Sequence, residues 1–335
     1  MLGIAKRSND AGDMDLIERP EPEPEAGYVV LDVNAVGICG TDIHIYKGEY
    51  KVIPTVTTGH EVCGIVSAVG EGVDKSWVGR RVVSETFYVT CGLCMYCRGG
   101  KPNMCVSRKS IGTHVNGAMA PRVAVPGKGL HVPPKGMSDA AASISEPVAC
   151  CVNSMFDDAP YIGAGDKVMV IGPGTIGIVA AQIARACGAT VTVRGTERDK
   201  QRLDLAEKLG FAVSMAGDAS QEESFDGVVE CSGAGPGVAD AMRHLRKCGH
   251  LMQMGIIGRD ATLPFDLVCY RELKVTSGFA SNPRAWRRAM AMIHTGKLDL
   301  EILVSDVSPL RNWKSSFEKT MSASGMKFVF DPRLK

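Results

Sequence analysis

The stretch DKVMVIGPGTIGIVAAQIARACG, residues 166–188, restricts the fold more than any other part of the chain. A short apolar run leads into Gly172, Pro173, Gly174, Thr175, Ile176 and Gly177, a G-x-G-x-x-G turn. Ile176, Val179, Ala180, Ile183, Ala184 and Cys187 then recur at helical spacing. With a strand entering and a helix leaving, each glycine has a use. The first permits a tight turn, the second lets backbone approach a pyrophosphate, and the third lets helix and strand pack closely. The phosphates would sit at the helix N-terminus. The turn therefore predicts a dinucleotide site, the alternative being a tight turn with no ligand.

The next strand, ATVTVRG, ends where such sites carry an acid for the ribose hydroxyls, about 20 residues past the turn. Gly195 stands there, preceded by Arg194 and followed by Thr196, Glu197 and Arg198. Thr196 with Arg194 or Arg198 suits a 2′-phosphate. A turn one or two residues longer puts Glu197 in the acid's place. NAD and NADP both stay open, with the balance towards NADP. Cys231 and Gly255 are assigned to the same nucleotide site.

After about residue 150, strands and helices alternate. DKQRLDLAEKLG and VADAMRHLRKCG read as helices, and DGVVECSG, HLMQMGI and LKVTSGF as strands. This predicts right-handed βαβ units on a parallel sheet. Before 150 the chain is β-rich and broken by Gly and Pro, as in GYVVLDVNAVGICG and EVCGIVSAVG, which predicts a barrel-like domain. RAWRRAMAMIHTG reads as a helix, and the last forty or so residues are expected to pack back on the first domain. A chain of 335 residues fits two domains. Their expected bounds are 1–152 with 285–335, and 153–284.

Lys plus Arg is 38 and Asp plus Glu is 37, so no bulk charge draws the chain to nucleic acid or a membrane surface. No apolar run approaches the ~18 residues of a membrane span. The start, MLGIAKRSNDAGDMDL, has no apolar core of a signal peptide and reads as a first strand, so a cytoplasmic protein is expected. Its 12 cysteines should then be thiols or metal ligands. Cys63, Cys150, Cys151, Cys187, Cys231, Cys248 and Cys269 read as small core residues.

CGLCMYCRGGKPNMC places Cys91, Cys94, Cys97 and Cys105 in one loop. Four thiolates make a closed tetrahedral shell for structural zinc, with no position left for substrate. The bacterial iron–sulfur run has a shorter last spacing followed by Pro, which is absent here. A catalytic metal would need other ligands. GICGTDIHIYKG supplies Cys39, Thr41 and His44, TTGHEVCG supplies His60 and Glu61, and SISEPVAC supplies Glu146. Singly, these read as a core thiol, a satisfied histidine and a loop carboxylate.

As an ordered set, G-I-C-G-T-D-x-H, G-H-E, the four-cysteine loop, E-P and the glycine turn resemble the zinc-containing medium-chain dehydrogenase/reductase family from about residue 25 onward. E-P resembles its polyol (sorbitol-type) and threonine dehydrogenase branches. The resemblance implies an α/β protein. A GroES-like barrel would form the catalytic domain, beside a doubly wound Rossmann domain, with a cleft between them. It implies two Zn2+ per chain, with catalytic zinc on Cys39 and His60 and with Glu61 or Glu146 as acidic ligand. It also implies that Thr41 takes the proton of the alcohol and His44 relays it.

One thiolate, one imidazole and one carboxylate leave an open position, as catalytic zinc needs. The substrate reading is a polyol or sugar phosphate oxidised to a ketose, with threonine-type amino alcohols the alternative. YREL, residues 270–273, resembles sugar-alcohol members. Ala280 and Ser281 stand where the animal sorbitol enzyme carries arginine and tyrosine. Arg108 and Lys109 read as solvated charges, a phosphate contact being the alternative. A non-catalytic zinc- and nucleotide-binding protein is the remote reading, and a homo-oligomer, dimer or tetramer, is expected.

Overall fold

The computed structural model describes residues 1–157, 162–218, 220 and 222–335. The β-branched run YVVLDVNAVG forms the strand Tyr28–Gly37, buried along nearly its whole length. It is the centre of a seven-stranded sheet. Glu61–Val69 pairs antiparallel along one edge of it, with Gly37 opposite Glu61. Arg122–Pro126 and Lys327–Phe330 share the other edge, and Val329 lies opposite Gly37. The register thus brings the start of Glu61–Val69 and the C-terminal strand to the same end of Tyr28–Gly37. The expected first strand is Leu2–Lys6, paired antiparallel with Met14–Glu18.

The core of this unit joins Leu31, Val33 and Val66 to Trp313, Phe317, Phe328 and Phe330 from the end of the chain. Burying Phe317 and Phe330 contributes about 1.5–3 kcal/mol each. Tyr46 meets Trp313 and Phe317 edge-on, at 6.1 and 5.9 Å between ring centroids, so the C-terminal helix Trp313–Met321 braces the short helix Gly40–Tyr46. The unit comprises Met1–Glu146, Ser281–His294 and Leu300–Lys335.

The other unit, Pro147–Ala280 with Thr295–Asp299, is built on a six-stranded parallel sheet. Its strands run Ala212–Met215, Thr190–Gly195, Lys167–Ile171, Phe225–Glu230, Leu245–Gln253 and Lys274–Ser277 across the sheet. In chain order within the sheet this is 3-2-1-4-5-6, the doubly wound dinucleotide-binding order. The switch point lies between Lys167–Ile171 and Phe225–Glu230, and the glycine turn leaves the first of these.

Two local readings are corrected. The expected helix through LRKCG ends at His244, and Leu245–Gln253 is strand. Leu245 is fully buried and pairs with Phe225, so sheet pairing overrides the helical pattern. Among the seven cysteines read as core, Cys63 and Cys151 are buried, Cys150, Cys187 and Cys231 are half-buried, and Cys248 and Cys269 are exposed. Cys269 lies on the helix Asp266–Tyr270, which buries no residue, and Cys248 sits at an irregular point of the strand Leu245–Gln253, with φ +59°.

Candidate active site

Cys39 ends the central strand's path and caps the helix Gly40–Tyr46. Asp42, fully buried, ties two segments together there. Its Oδ2 accepts from the Cys39 N–H at 2.9 Å and its Oδ1 from the Gly59 N–H at 3.2 Å. Cys39 and the residue before His60 are therefore held by one carboxylate. Burial raises the pKa of Asp42, partly offset by His60. Sequence reading assigned Asp42 no role, although the G-T-D motif marks it.

The donor atoms of Cys39, His60 and Glu61 all lie within 4.8 Å of one another. Burial would depress the His60 ring, but the Cys39 sulfur, Asp42 and Glu146 outweigh it and hold the ring well above the ordinary histidine value. Glu61 is buried against Lys327, whose Nζ donates to its Oε1 at 2.8 Å and to the Ile38 carbonyl at 3.0 Å. Oε2 is also 2.8 Å from Nζ but outside hydrogen-bonding geometry, and is left without a hydrogen bond. A thiol, an imidazole and a carboxylate with an unbonded oxygen, all converging, fit a zinc site with an open position. Glu146 is buried on the helix Ser145–Phe156, close enough to act on His60 and Lys327 but not within the 4.8 Å set.

Thr41 and His44 lie on the helix capped by Cys39. The His44 side chain is 51% exposed and its Nδ1 is 2.6 Å from Glu49 Oε2, so it meets solvent. Ser281 is fully buried and its Oγ accepts from Trp286 Nε1 at 3.0 Å, which commits it to packing. The Arg108 guanidinium lies over the Phe87 ring at 5.4 Å, while Lys109 is exposed.

Cys91, Cys94, Cys97 and Cys105 also bring their sulfurs within 4.8 Å. The Cys94 N–H donates to Cys91 Sγ at 3.3 Å, and the Cys91 N–H to Cys105 Sγ at 3.3 Å. Backbone amides of Cys94 and Leu93 pull the Cys91 thiol down to about 6, while burial and the neighbouring thiols push Cys97 up to about 12. Four thiolates so close repel one another, and a divalent cation removes that conflict. This set fits closed structural zinc.

In the other unit, Gly172 has φ +92°, and a Cβ there would lie 2.7 Å from the Ser232 nitrogen. A Cβ on Gly177 would lie 2.0 Å from the Gly172 carbonyl oxygen, so the helix packs on the turn only through glycine. Cys231 donates its N–H to the Ile171 carbonyl at 2.8 Å, and Gly255 to the Glu230 carbonyl at 2.9 Å. Both therefore stand beside the turn at the strand ends.

Arg194 does not face a nucleotide phosphate. It is 1% exposed, and its Nε bonds Asp240 at 2.6 Å while its Nη2 bonds the Asp218 carbonyl at 2.8 Å. Alternation along the strand turns it inward. Thr196 donates its N–H and its hydroxyl to Asp199 Oδ2, at 2.9 and 2.8 Å.

An alcohol dehydrogenase GroES-like domain matches residues 25–135, and a zinc-binding dehydrogenase domain matches residues 175–295. A sorbitol dehydrogenase of Halalkalibacterium halodurans is 33% identical, over 99% of each chain. A D-arabitol-phosphate dehydrogenase of Enterococcus avium is 34% identical, over 99% of this chain and 97% of its own. The solved structure of a zinc-binding dehydrogenase of Sinorhizobium meliloti, bound to NADP, superposes with a TM-score of 0.89 at 30% identity, covering 99% of this chain and all of that one. The fold and site define a zinc-binding alcohol dehydrogenase. The chain belongs to the zinc-containing medium-chain dehydrogenase/reductase family and is an oxidoreductase that works with zinc and NAD or NADP.

Proposed function

We propose that the chain is a polyol dehydrogenase, interconverting a secondary alcohol of a sugar alcohol, or of its phosphate, with the corresponding ketose. The observation that carries this is the convergence of Cys39, His60 and Glu61 within 4.8 Å at the base of the helix bearing Thr41 and His44. Likeness to a sorbitol and an arabitol-phosphate dehydrogenase supports the polyol class. The unit holding both cysteine sites is the catalytic domain, and the unit with the glycine turn binds the nucleotide. Likeness to an NADP-bound relative supports NADP.

Cys39 and His60 would hold the catalytic zinc, with Glu61 or Glu146 as acidic ligand, and the four-cysteine loop the structural one. When bound, the metal supplies Lewis acidity and the nicotinamide a hydride acceptor. The chain's own residues manage the proton. Thr41 Oγ1 takes it from the substrate hydroxyl, since a hydroxyl both accepts and donates. The His44 imidazole can both accept and donate a proton, and passes it to solvent, as its exposure allows. Lys274–Ser277 forms an edge of its sheet with Val275 46% exposed, which suits a homo-oligomer. Among the described residues no helix is long and apolar enough to cross a membrane, and a cytoplasmic setting is proposed.

The test is a panel of sugar alcohols, their phosphates and threonine, with both nucleotides, followed by absorbance of the reduced nicotinamide. Turnover of polyols is expected. Turnover of threonine alone moves the assignment to amino alcohols.

A further inference from the structure

We propose that Glu49 is a positioning residue for proton transfer: its carboxylate holds the His44 imidazole in the tautomer that carries hydrogen on Nδ1 and keeps Nε2 as the acceptor. This rests on the dehydrogenase reading above and on the relay role given there to His44. It adds a residue that the sequence pattern did not disclose.

A tightly held turn brings Glu49 back to His44. The helix Gly40–Tyr46 stops after 7 residues, and Gly48, with φ +75°, reverses the chain. A Cβ on Gly48 would lie 2.8 Å from the Asn9 carbonyl oxygen, so only glycine fits against the N-terminal loop there. Beyond it the N–H groups of Glu49 and Tyr50 both donate to the His44 carbonyl, at 2.9 and 3.2 Å. Both ends of the turn are anchored. The Tyr46 carbonyl accepts from the Gly12 N–H at 2.8 Å and from Nζ of the buried Lys6 at 3.2 Å. Val52 exchanges two bonds with the Asn9 side chain, at 2.9 and 3.2 Å, and the Ile53 N–H donates to the Thr113 carbonyl at 3.0 Å. The main chain thus ties Glu49 to the same residue whose ring it meets.

The side chains make the second link, with His44 Nδ1 2.6 Å from Glu49 Oε2. The hydrogen bond from His44, with Lys47 assisting, lowers the pKa of Glu49 against a small opposing effect of burial. An ionised carboxylate only accepts, so Nδ1 is the nitrogen that donates. A neutral imidazole with hydrogen on Nδ1 has its lone pair on Nε2, so the partner of one nitrogen decides what the other can do. Without an acceptor at Nδ1 the ring would divide between two tautomers, and one of them cannot accept at Nε2. A proton taken up at Nε2 leaves an imidazolium beside the carboxylate. The ring returns to neutral by giving one proton to water, which its half-exposed position allows. An exposed ion pair contributes little to stability, so the contact serves orientation rather than folding.

The test has a spectroscopic and a kinetic arm, both on the full-length, zinc-loaded protein. Ring nitrogen-15 shifts of labelled histidine report the tautomer, measured at about pH 8.5, where an ordinary histidine is neutral. The His44 signals are those lost in His44→Asn. Wild type should carry hydrogen on Nδ1, and Glu49→Ala should shift His44 towards the Nε2–H form. Glu49→Gln, whose amide oxygen still accepts, should fall between, which gives a second reading if the alanine variant folds poorly. With the polyol turned over fastest in the panel above, the single-turnover rate of nicotinamide reduction should fall about tenfold or more in Glu49→Ala, within the roughly 10²–10⁴-fold that proton transfer contributes. The melting temperature should stay near wild type. Rising concentrations of a bulky tertiary-amine buffer should partly restore the rate in Glu49→Ala and His44→Asn and leave wild type unchanged, which a merely structural loss would not do. An unchanged His44 tautomer in Glu49→Ala would overturn the assignment. So would an unchanged rate, or a loss that buffer does not restore. A wild type that carries hydrogen on Nδ1 of His44 yet turns over no alcohol in the panel with either nucleotide overturns the dehydrogenase reading itself.

Discussion

Lys327 Nζ lies 2.8 Å from Oε1 of Glu61, with both groups buried and 266 residues apart in the chain. Burial lowers the pKa of Lys327, but Glu61, Cys39 and Glu146 outweigh it and raise it. The C-terminal strand thus supplies a cation, beside the His60 ring, to a cluster that gathers Cys39, Glu61 and Glu146. Removing one partner of a buried pair strands the other, at a cost of about 3–5 kcal/mol. Lys327→Met should therefore lower stability by that order in metal-free protein. Glu61→Gln in the same chain should restore part of it, and denaturant midpoints of both singles and the double would measure the coupling. Strict additivity would show that the pair does not act as one unit.

Asp42 should behave as a positioning residue. Asp42→Ala removes the acceptor that holds the Cys39 and Gly59 amides. Metal affinity or activity is expected to fall by about 10–100-fold, as for other groups that orient ligands. Unchanged zinc retention on dialysis would contradict this.

The two cysteine sites should separate by phenotype. Cys39→Ala should abolish turnover and leave the thermal transition near wild type. Cys94→Ala should lower stability and solubility, because structural zinc contributes folding energy outright. Paired melting curves and assays check this, and the opposite pattern would mean the roles are exchanged.

His250 gives a pH dependence away from the metal. It is buried beside Thr276, Nε2 to Oγ1 2.7 Å, and burial, with Lys274 adding to it, lowers its pKa to about 4. Above about pH 6.5 neither the folded nor the unfolded ring binds a proton, and the effect is nil. Between about 6.5 and 4 the unfolded chain takes up a proton that the folded one refuses, so stability falls as pH falls through that window. Melting temperatures at pH 7 and pH 5 should differ less in His250→Gln than in wild type. An equal difference would exclude His250 as a source.

What the sequence disclosed was local. The glycine turn, the cysteine loop and the G-H-E pair are spacings within one element, and the structure gathers each set. Strand–helix alternation was legible for the same reason. Lys327 and Asp42 were not, because what matters in them is contact across the sheet rather than spacing along it. Arg194 was misjudged by one step of strand alternation, which turned a surface cation into one paired with Asp240. Cys269 follows Val268 in sequence, yet it stands on an exposed helix, and Cys248, between Lys247 and Gly249, is exposed within its strand.

The most direct test of a zinc-dependent polyol dehydrogenase couples metal content to turnover. Protein purified without chelator should hold about two zinc ions per chain. Timed dialysis against a chelator should abolish polyol oxidation as about one zinc ion leaves, with the far-ultraviolet circular dichroism unchanged, and added zinc should restore the rate. Full polyol turnover by protein stripped of that zinc, or none by protein holding both, would contradict it.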